Sequence, residues 1–255
     1  MCFYYSVNKK NPDELIKAGV VSKTQLEKIP DRLLVSGFER PEMAVISNEN
    51  PNIIDFFQWG LVPSTIGDAN QETDFLKSYN TLNAKIEGAL RSKIYSEPIQ
   101  KKRCLVIASG FFEWQHERGK KIPYYISFKD DSLFAFAGIW DKWMDENGNA
   151  NHTFSILTTQ ANELMAKIHN TKKRMPVILH PSIAGEWLSP NLSSSDLALF
   201  HKPIDSEMLK AHTIKQFLPL RQPTDSLNDI LDYHPYPDND YKSSSSNSSQ
   251  LKLDW

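Results

Sequence analysis

The chain has 255 residues, 40% of them hydrophobic and 24% charged, with a formal net charge of −2. That balance excludes fibres, coiled coils and intrinsic disorder, and the longest apolar runs, such as Phe134 to Trp140, fall far short of the roughly 20 residues that span a bilayer. Two cysteines, Cys2 and Cys104, are too few for a disulfide framework, and no basic region, apolar core and cleavage site open the chain, so a cytoplasmic, reduced protein is expected.

In chain order, Asn11-Pro12-Asp13-Glu14 places a cap residue, a proline and two acids ahead of Leu15-Ile16, the pattern of a helix start. Strand-like runs follow at Ala44 to Ser47 and Ile53 to Trp59. Ile86, Ala89, Leu90 and Ile94, spaced by three and four, predict a helix. Strand signals then dominate: Cys104 to Ser109, Phe111 to Gln115, Tyr124 to Phe128, Phe134 to Trp140, Thr153 to Thr159 and Pro176 to Leu179. Turn-like segments at Glu117 to Lys120 and Asp145 to Asn149 predict hairpins, and Ala161, Leu164 and Ile168 predict another helix. The pattern predicts a single α+β domain over residues 1–234: a curled, barrel-like antiparallel sheet with flanking helices. Residues 243–249 read Ser-Ser-Ser-Ser-Asn-Ser-Ser, so residues 235–255 are expected to form a flexible tail.

Cys2 carries the most chemistry. A small second residue favours removal of Met1, which leaves one residue holding both a free α-amine and a thiol, with ordinary pKa values of about 7.7–8.0 and 8.5. An aldehyde is their natural target: the amine forms a Schiff base and the thiol closes a five-membered ring on the same carbon. The alternative is a cysteine that merely opens a buried strand. Glu113, in Gly110-Phe-Phe-Glu-Trp114, lies among large apolar neighbours where a carboxylate is poorly solvated, as suits a proton carrier or a structural partner of a cation; Gly110 signals a bulge or a close backbone approach. His169 ends a helical run and leads into the basic Lys172-Lys173-Arg174, which suits an acid or base near an anionic substrate, or a helix cap. Asn83 and Glu87, four apart, belong on one side of a helix start, and Trp59 serves either as a stacking platform for a base or as core. Further basic clusters at Lys101-Lys102-Arg103 and Arg118 to Lys121 are candidate phosphate contacts. No spacing of ligating residues resembles a metal site and no glycine-rich phosphate loop is present, so neither metal nor cofactor is expected.

Met1-Cys2, Trp59-Gly-Leu-Val-Pro63, Asn83-Ala-Lys-Ile-Glu87, Arg103-Cys-Leu with Gly110-Phe-Phe-Glu-Trp114, Phe136-Ala-Gly-Ile-Trp140, Phe154-Ser-Ile-Leu-Thr-Thr159, and His169 with Arg174-Met-Pro-Val-Ile-Leu179 resemble, in content and order, the SOS-response-associated peptidase (SRAP) family over about residues 1–220. The resemblance implies a protein that cross-links its amino-terminal cysteine to the ring-opened aldehyde of an abasic site in single-stranded DNA. It implies Cys2 as the nucleophile, Asn83 as its orienting partner, and Glu113 and His169 as proton carriers. Trp59, Lys85 and Arg174 would contact DNA, with Lys85 standing where the family usually has arginine, which keeps the charge but not bidentate phosphate geometry. A monomer with no membrane attachment is expected. Two other readings use the same residues: an amino-terminal-nucleophile cysteine peptidase with autoprocessing activity, and a non-catalytic single-strand-binding module that does not need Cys2.

Overall fold

Strands form where aromatic and β-branched residues run without interruption. In the computed structural model, which describes residues 2–217 and 229–236, β9 (Phe134–Met144) and β10 (Ala150–Gln160) pair antiparallel from Met144↔Ala150 to Gly138↔Ile156. Their turn closes on Asp145, whose carboxylate accepts from the backbone N–H groups of Asn147 and Asn149, and Gly148 takes the left-handed backbone there, φ 82°. On its other edge β9 pairs with β6 (Arg103–Ala108), β6 with β3 (Glu42–Ser47) and β3 with β4 (Asp55–Trp59), all antiparallel. β4 then meets β10 in parallel, Trp59 opposite Phe154, and closes a five-stranded ring. The expected curled sheet is thus a closed barrel, and it is mixed: β4 and the short β5 (Asn83–Lys85) both run parallel to β10. β11 (Arg174–Pro176) extends the far end of β10, and β12 (Ile178–Leu179) pairs with β9. Closure removes open sheet edges.

A second sheet, antiparallel throughout, has the order β13 (Leu209–Thr213), β8 (Lys120–Phe128), β7 (Gly110–Glu117), β1 (Tyr4–Val7) and β2 (Arg32–Ser36). The chain crosses from barrel to second sheet at Ser109, and hydrogen bonds fix that corner to β1. The Ser109 N–H donates to the Ser6 carbonyl at 2.9 Å, the two hydroxyls share a 2.9 Å bond, and the Asn8 N–H donates to the Ser109 hydroxyl at 3.0 Å. β7 and β8 form the expected hairpin: Glu117 faces Lys120, and Arg118 and Gly119 both take positive φ, the two-residue turn whose twist matches that of its strands. Between the sheets Tyr5 meets Trp59 and Phe136 edge to face at 5.2 and 5.8 Å, and Phe111 meets Phe136 at 6.0 Å.

Among the described residues eight short helices flank the sheets: α1 (Asp13–Lys17), α2 (Lys23–Glu27), α3 (Ala69–Ser78), α4 (Ile86–Ala89), α5 (Ser96–Lys101), α6 (Glu163–Ile168), α7 (Pro181–Trp187) and α8 (Ser194–Leu199). Two sequence expectations change here. Asn11 does not cap α1; its side chain donates to the Asp130 carbonyl and Pro12 takes the cap position. The apolar spacing from Ile86 to Ile94 is not one helix: α4 lasts four residues with Gly88 inside it, and α5 begins at Ser96. Ile86 and Ala89 are buried, so the spacing reports packing rather than continuity. The basic cluster at residues 101–103 is also mostly consumed within the fold. Arg103 is buried, its guanidinium donating to the carbonyls of Ile99, Gln100, Trp187 and Ser189, and Lys102 pairs with Asp141 at 2.7 Å, as buried cations require. Tyr236 donates its hydroxyl to the Ile214 carbonyl, while residues 237–255, with the Ser-rich run, lie outside the described residues. No helix among the described residues is long and apolar enough to cross a membrane.

Gly110 is a close approach rather than a bulge, since pairing with β1 continues through Ser6↔Gly110. A Cβ there would lie 2.3 Å from the Tyr125 ring, whose hydroxyl bonds Ser6 at 2.9 Å. We expect Gly110→Ala to cost about 1–3 kcal/mol through overpacking, measured as a shifted urea unfolding midpoint. A midpoint equal to that of the unsubstituted protein would contradict this packing.

Candidate active site at the amino-terminal cysteine

Register determines what stands beside the start of the chain. Tyr4 pairs with Phe112 and Tyr5 with Phe111, so antiparallel pairing carries the residues just before Tyr4 toward those just after Phe112, among them Glu113. Cys2 is wholly buried, with its Sγ 3.5 Å from the Tyr4 carbonyl. Burial, and secondarily the Glu113 carboxylate, push its thiol far above the ordinary range. Asn83, first residue of β5, is brought in from the barrel by the parallel pairing of β5 with β10, and its Nδ2 donates to the Cys2 carbonyl at 2.8 Å. The Asn83 Oδ1 is buried with no hydrogen-bond partner among the described residues. Asn83 and Glu87 do not share a helical face as their spacing suggested, because strand geometry holds as far as Lys85.

Glu113 and His169 are both buried, and Glu113 Oε1 lies 3.8 Å from His169 Nδ1. His169 terminates α6, a helix capped by the Asn162 side chain, and its Nδ1 is 2.8 Å from the Arg174 carbonyl. A carbonyl only accepts, so Nδ1 carries the hydrogen in the neutral ring and Nε2 is the basic nitrogen. The structure thus brings Cys2, Asn83, Glu113 and His169 together from β1, β5, β7 and the end of α6.

The residues expected to touch DNA fare differently. Trp59 is fully buried, donates its indole N–H to the Leu82 carbonyl at 2.8 Å and lies parallel to Phe154; a base has no access to its face, so the stacking role is corrected to core. Arg174 is corrected as well. Its guanidinium grips Glu87 with two bonds of 2.8 and 3.0 Å and reaches the Thr158 carbonyl and hydroxyl, so its fork is occupied within the fold rather than offered to phosphate. Burial alone would push the Glu87 carboxyl up, but the Arg174 bonds outweigh it and hold the group below the usual range. Lys85 is exposed.

Glu113 and His169 line an open pocket of about 670 Å³ that sequence reasoning missed. Phe3, Tyr4, Trp114 and Phe217 form its aromatic wall, and His116, Lys121 and Lys172 are its exposed basic lining. Phe38, half exposed, lies against Phe3 and Tyr4 at 5.0 and 5.8 Å. The signal for the lysines was present in the basic clusters; for the wall it was absent, since its members come from three separate segments.

The chain matches the family model described as SOS response associated peptidase (SRAP) over residues 1–218. It is 32% identical over 194 residues to the abasic site processing protein YoqW of Bacillus subtilis, covering 75% of this chain and 82% of that protein. To the abasic site processing protein HMCES of Gallus gallus it is 34% identical over 164 residues, covering 56% of this chain and 47% of that one. A crystal structure of a protein from Bacteroides thetaiotaomicron shares the fold with a TM-score of 0.80 at 35% identity, over 92% of this chain and 100% of that chain. A family model that covers most of the described residues, together with a shared fold at 35% identity, shows that the chain belongs to the SOS response associated peptidase family.

Proposed function

We propose that Cys2, once Met1 has been removed, captures the ring-opened aldehyde of an abasic site in single-stranded DNA as a thiazolidine cross-link. The observation that carries this reading is the convergence of an amino-terminal cysteine with Asn83, Glu113 and His169, the last two of which line a pocket that mixes aromatic and basic groups. The relatives' names, abasic site processing proteins, agree with it.

The chemistry follows from the groups present. Ring opening moves a proton from the sugar's anomeric hydroxyl to its ring oxygen, a transfer suited to a carboxyl and an imidazole held side by side. The thiol is held neutral by burial, so the α-amine is the first nucleophile. It adds to the aldehyde carbon, the carbinolamine loses water, and an imine remains. The thiol then gives up its proton and attacks the same carbon, forming the C–S bond that closes the ring while the imine nitrogen gains a proton. The net reaction joins aldehyde, amine and thiol and releases one water. The same imine is one elimination step from strand breakage, and ring closure by the neighbouring thiol removes that exit. Asn83 holds the Cys2 carbonyl, so the amine and thiol meet the aldehyde from a fixed backbone. A recessed cysteine requires the sugar to leave the base stack, which an unpaired strand allows at least cost.

Three outcomes are expected. Cys2→Ala, with Met1 removed, should yield no heat-stable adduct with an abasic oligonucleotide but should still be trapped by borohydride through its own terminal amine; a heat-stable adduct at full yield contradicts the thiazolidine. Glu113→Gln and His169→Ala should each slow adduct formation by about 10² or more while remaining folded by circular dichroism. Reaction of both at the unsubstituted rate would make the two residues structural. Because the folded thiol is pushed upward, its thiolate should be scarce where an ordinary thiol, about 8.5, has already ionised. Iodoacetamide alkylation of folded protein should therefore show no midpoint near pH 8.5 and accelerate only on unfolding, whereas a midpoint near 8.5 would contradict the buried, neutral thiol.

A further inference from the structure

Two basic clusters far apart in sequence meet beside the site. β1 stops pairing with β7 at Tyr4↔Phe112, so among the described residues no strand completes the edge of β7 beyond Glu113. Asn170 completes it instead: its Nδ2 donates to the His116 carbonyl at 2.8 Å and its Oδ1 accepts the His116 N–H at 3.1 Å, a side-chain amide standing in for a strand. Gln115 adds a second tie, donating to the Lys167 carbonyl at the end of α6. A tight turn follows, in which the Lys173 N–H donates to the His169 carbonyl at 2.8 Å with Lys173 at φ 48°. This brings Lys172 to the same pocket as Lys121 of β8, which stands opposite His116. Both lysines are exposed, and among the described residues neither lies within ion-pair distance of a carboxylate. The cations at residues 102, 103 and 174 are consumed by internal partners, which leaves this pair as cations that face the pocket unpaired.

We propose that Lys121 and Lys172 form a phosphate-binding ledge that takes the backbone of the DNA strand next to the abasic sugar. The inference rests on the reading above and adds which side of the site the strand follows. Charge complementarity carries it: two unpaired cations beside the exposed edges of Tyr4 and Trp114 combine the phosphate contacts and ring faces that an unpaired strand uses. A flexible loop of lysines would spread its charge, whereas the Asn170 clamp fixes these two at one place.

The test is the salt dependence of affinity for a single-stranded abasic oligonucleotide whose sugar has been reduced, so that no covalent bond forms. Each phosphate contact to a single strand contributes about 0.7 to the slope of log K against log salt. Lys121→Gln and Lys172→Gln should each lower the slope by about 0.7 and the double variant by about 1.4, while Lys172→Arg retains it. The control is Lys142→Gln, paired with His152 eight residues along β10 from the Gln160–Arg174 pair, which should leave the slope unchanged. A double variant with the unsubstituted slope overturns the ledge, as does an equal fall in the Lys142 control. Failure of the unsubstituted protein to form any adduct with unreduced DNA would instead overturn the reading on which the ledge rests.

Discussion

The structure depends on the antiparallel register of β1 on β7. That pairing is set by the Ser109 corner, where the chain leaves the barrel: its N–H and hydroxyl are bonded to Ser6 and Asn8, and Gly110 has no side chain, so Tyr125 packs against the backbone. A slip of one residue would turn every side chain of β1 to the other face. The Tyr5 ring that wedges between the two sheets would move outward, and the Cys2 thiol would leave the neighbourhood of Glu113. Core packing and site geometry are therefore enforced by the same hydrogen-bonded corner.

A second tie joins the barrel side of the site. The Glu87–Arg174 pair, with Thr158 beneath it, links the segment that presents Asn83 to the segment whose carbonyl fixes His169. Thr158 is also in register with Lys85, so one residue of β10 touches both arms. Arg174 thus serves the site through its backbone carbonyl and its grip on Glu87. A bidentate pair that is largely shielded from water holds geometry better than an exposed one.

What the sequence makes legible follows from where each residue ends up. β6 is buried along its whole length and after Arg103 reads as a continuous apolar run, and the β7–β8 hairpin announces itself through Arg118-Gly119. β2, β5 and β13, three to five residues long, pass unnoticed, and β1 is foreseen only as the buried strand that Cys2 would open. The chemistry proposed for Cys2 is legible in the sequence because an amino-terminal cysteine carries its amine and its thiol on one residue. Trp59 and Arg174 are misread for one physical reason. A motif names a side chain, but only the fold says whether its indole is already stacked or its guanidinium already paired, and Glu87 lies 87 positions from its partner in the chain. The aromatic wall is assembled from separate segments and is visible only once they meet, and the basic clusters name Lys121 and Lys172 without saying that they line one pocket.

The thiazolidine proposed at Cys2 is a single covalent structure whose composition is measurable. Intact mass spectrometry of protein lacking Met1, incubated with single-stranded abasic DNA, should show one species equal to protein plus oligonucleotide minus one water, stable to heat without reductant. Digestion should place the added mass on the amino-terminal Cys2 peptide. An adduct that appears only after borohydride treatment, or that maps to a lysine or to protein retaining Met1, would rule out the thiazolidine.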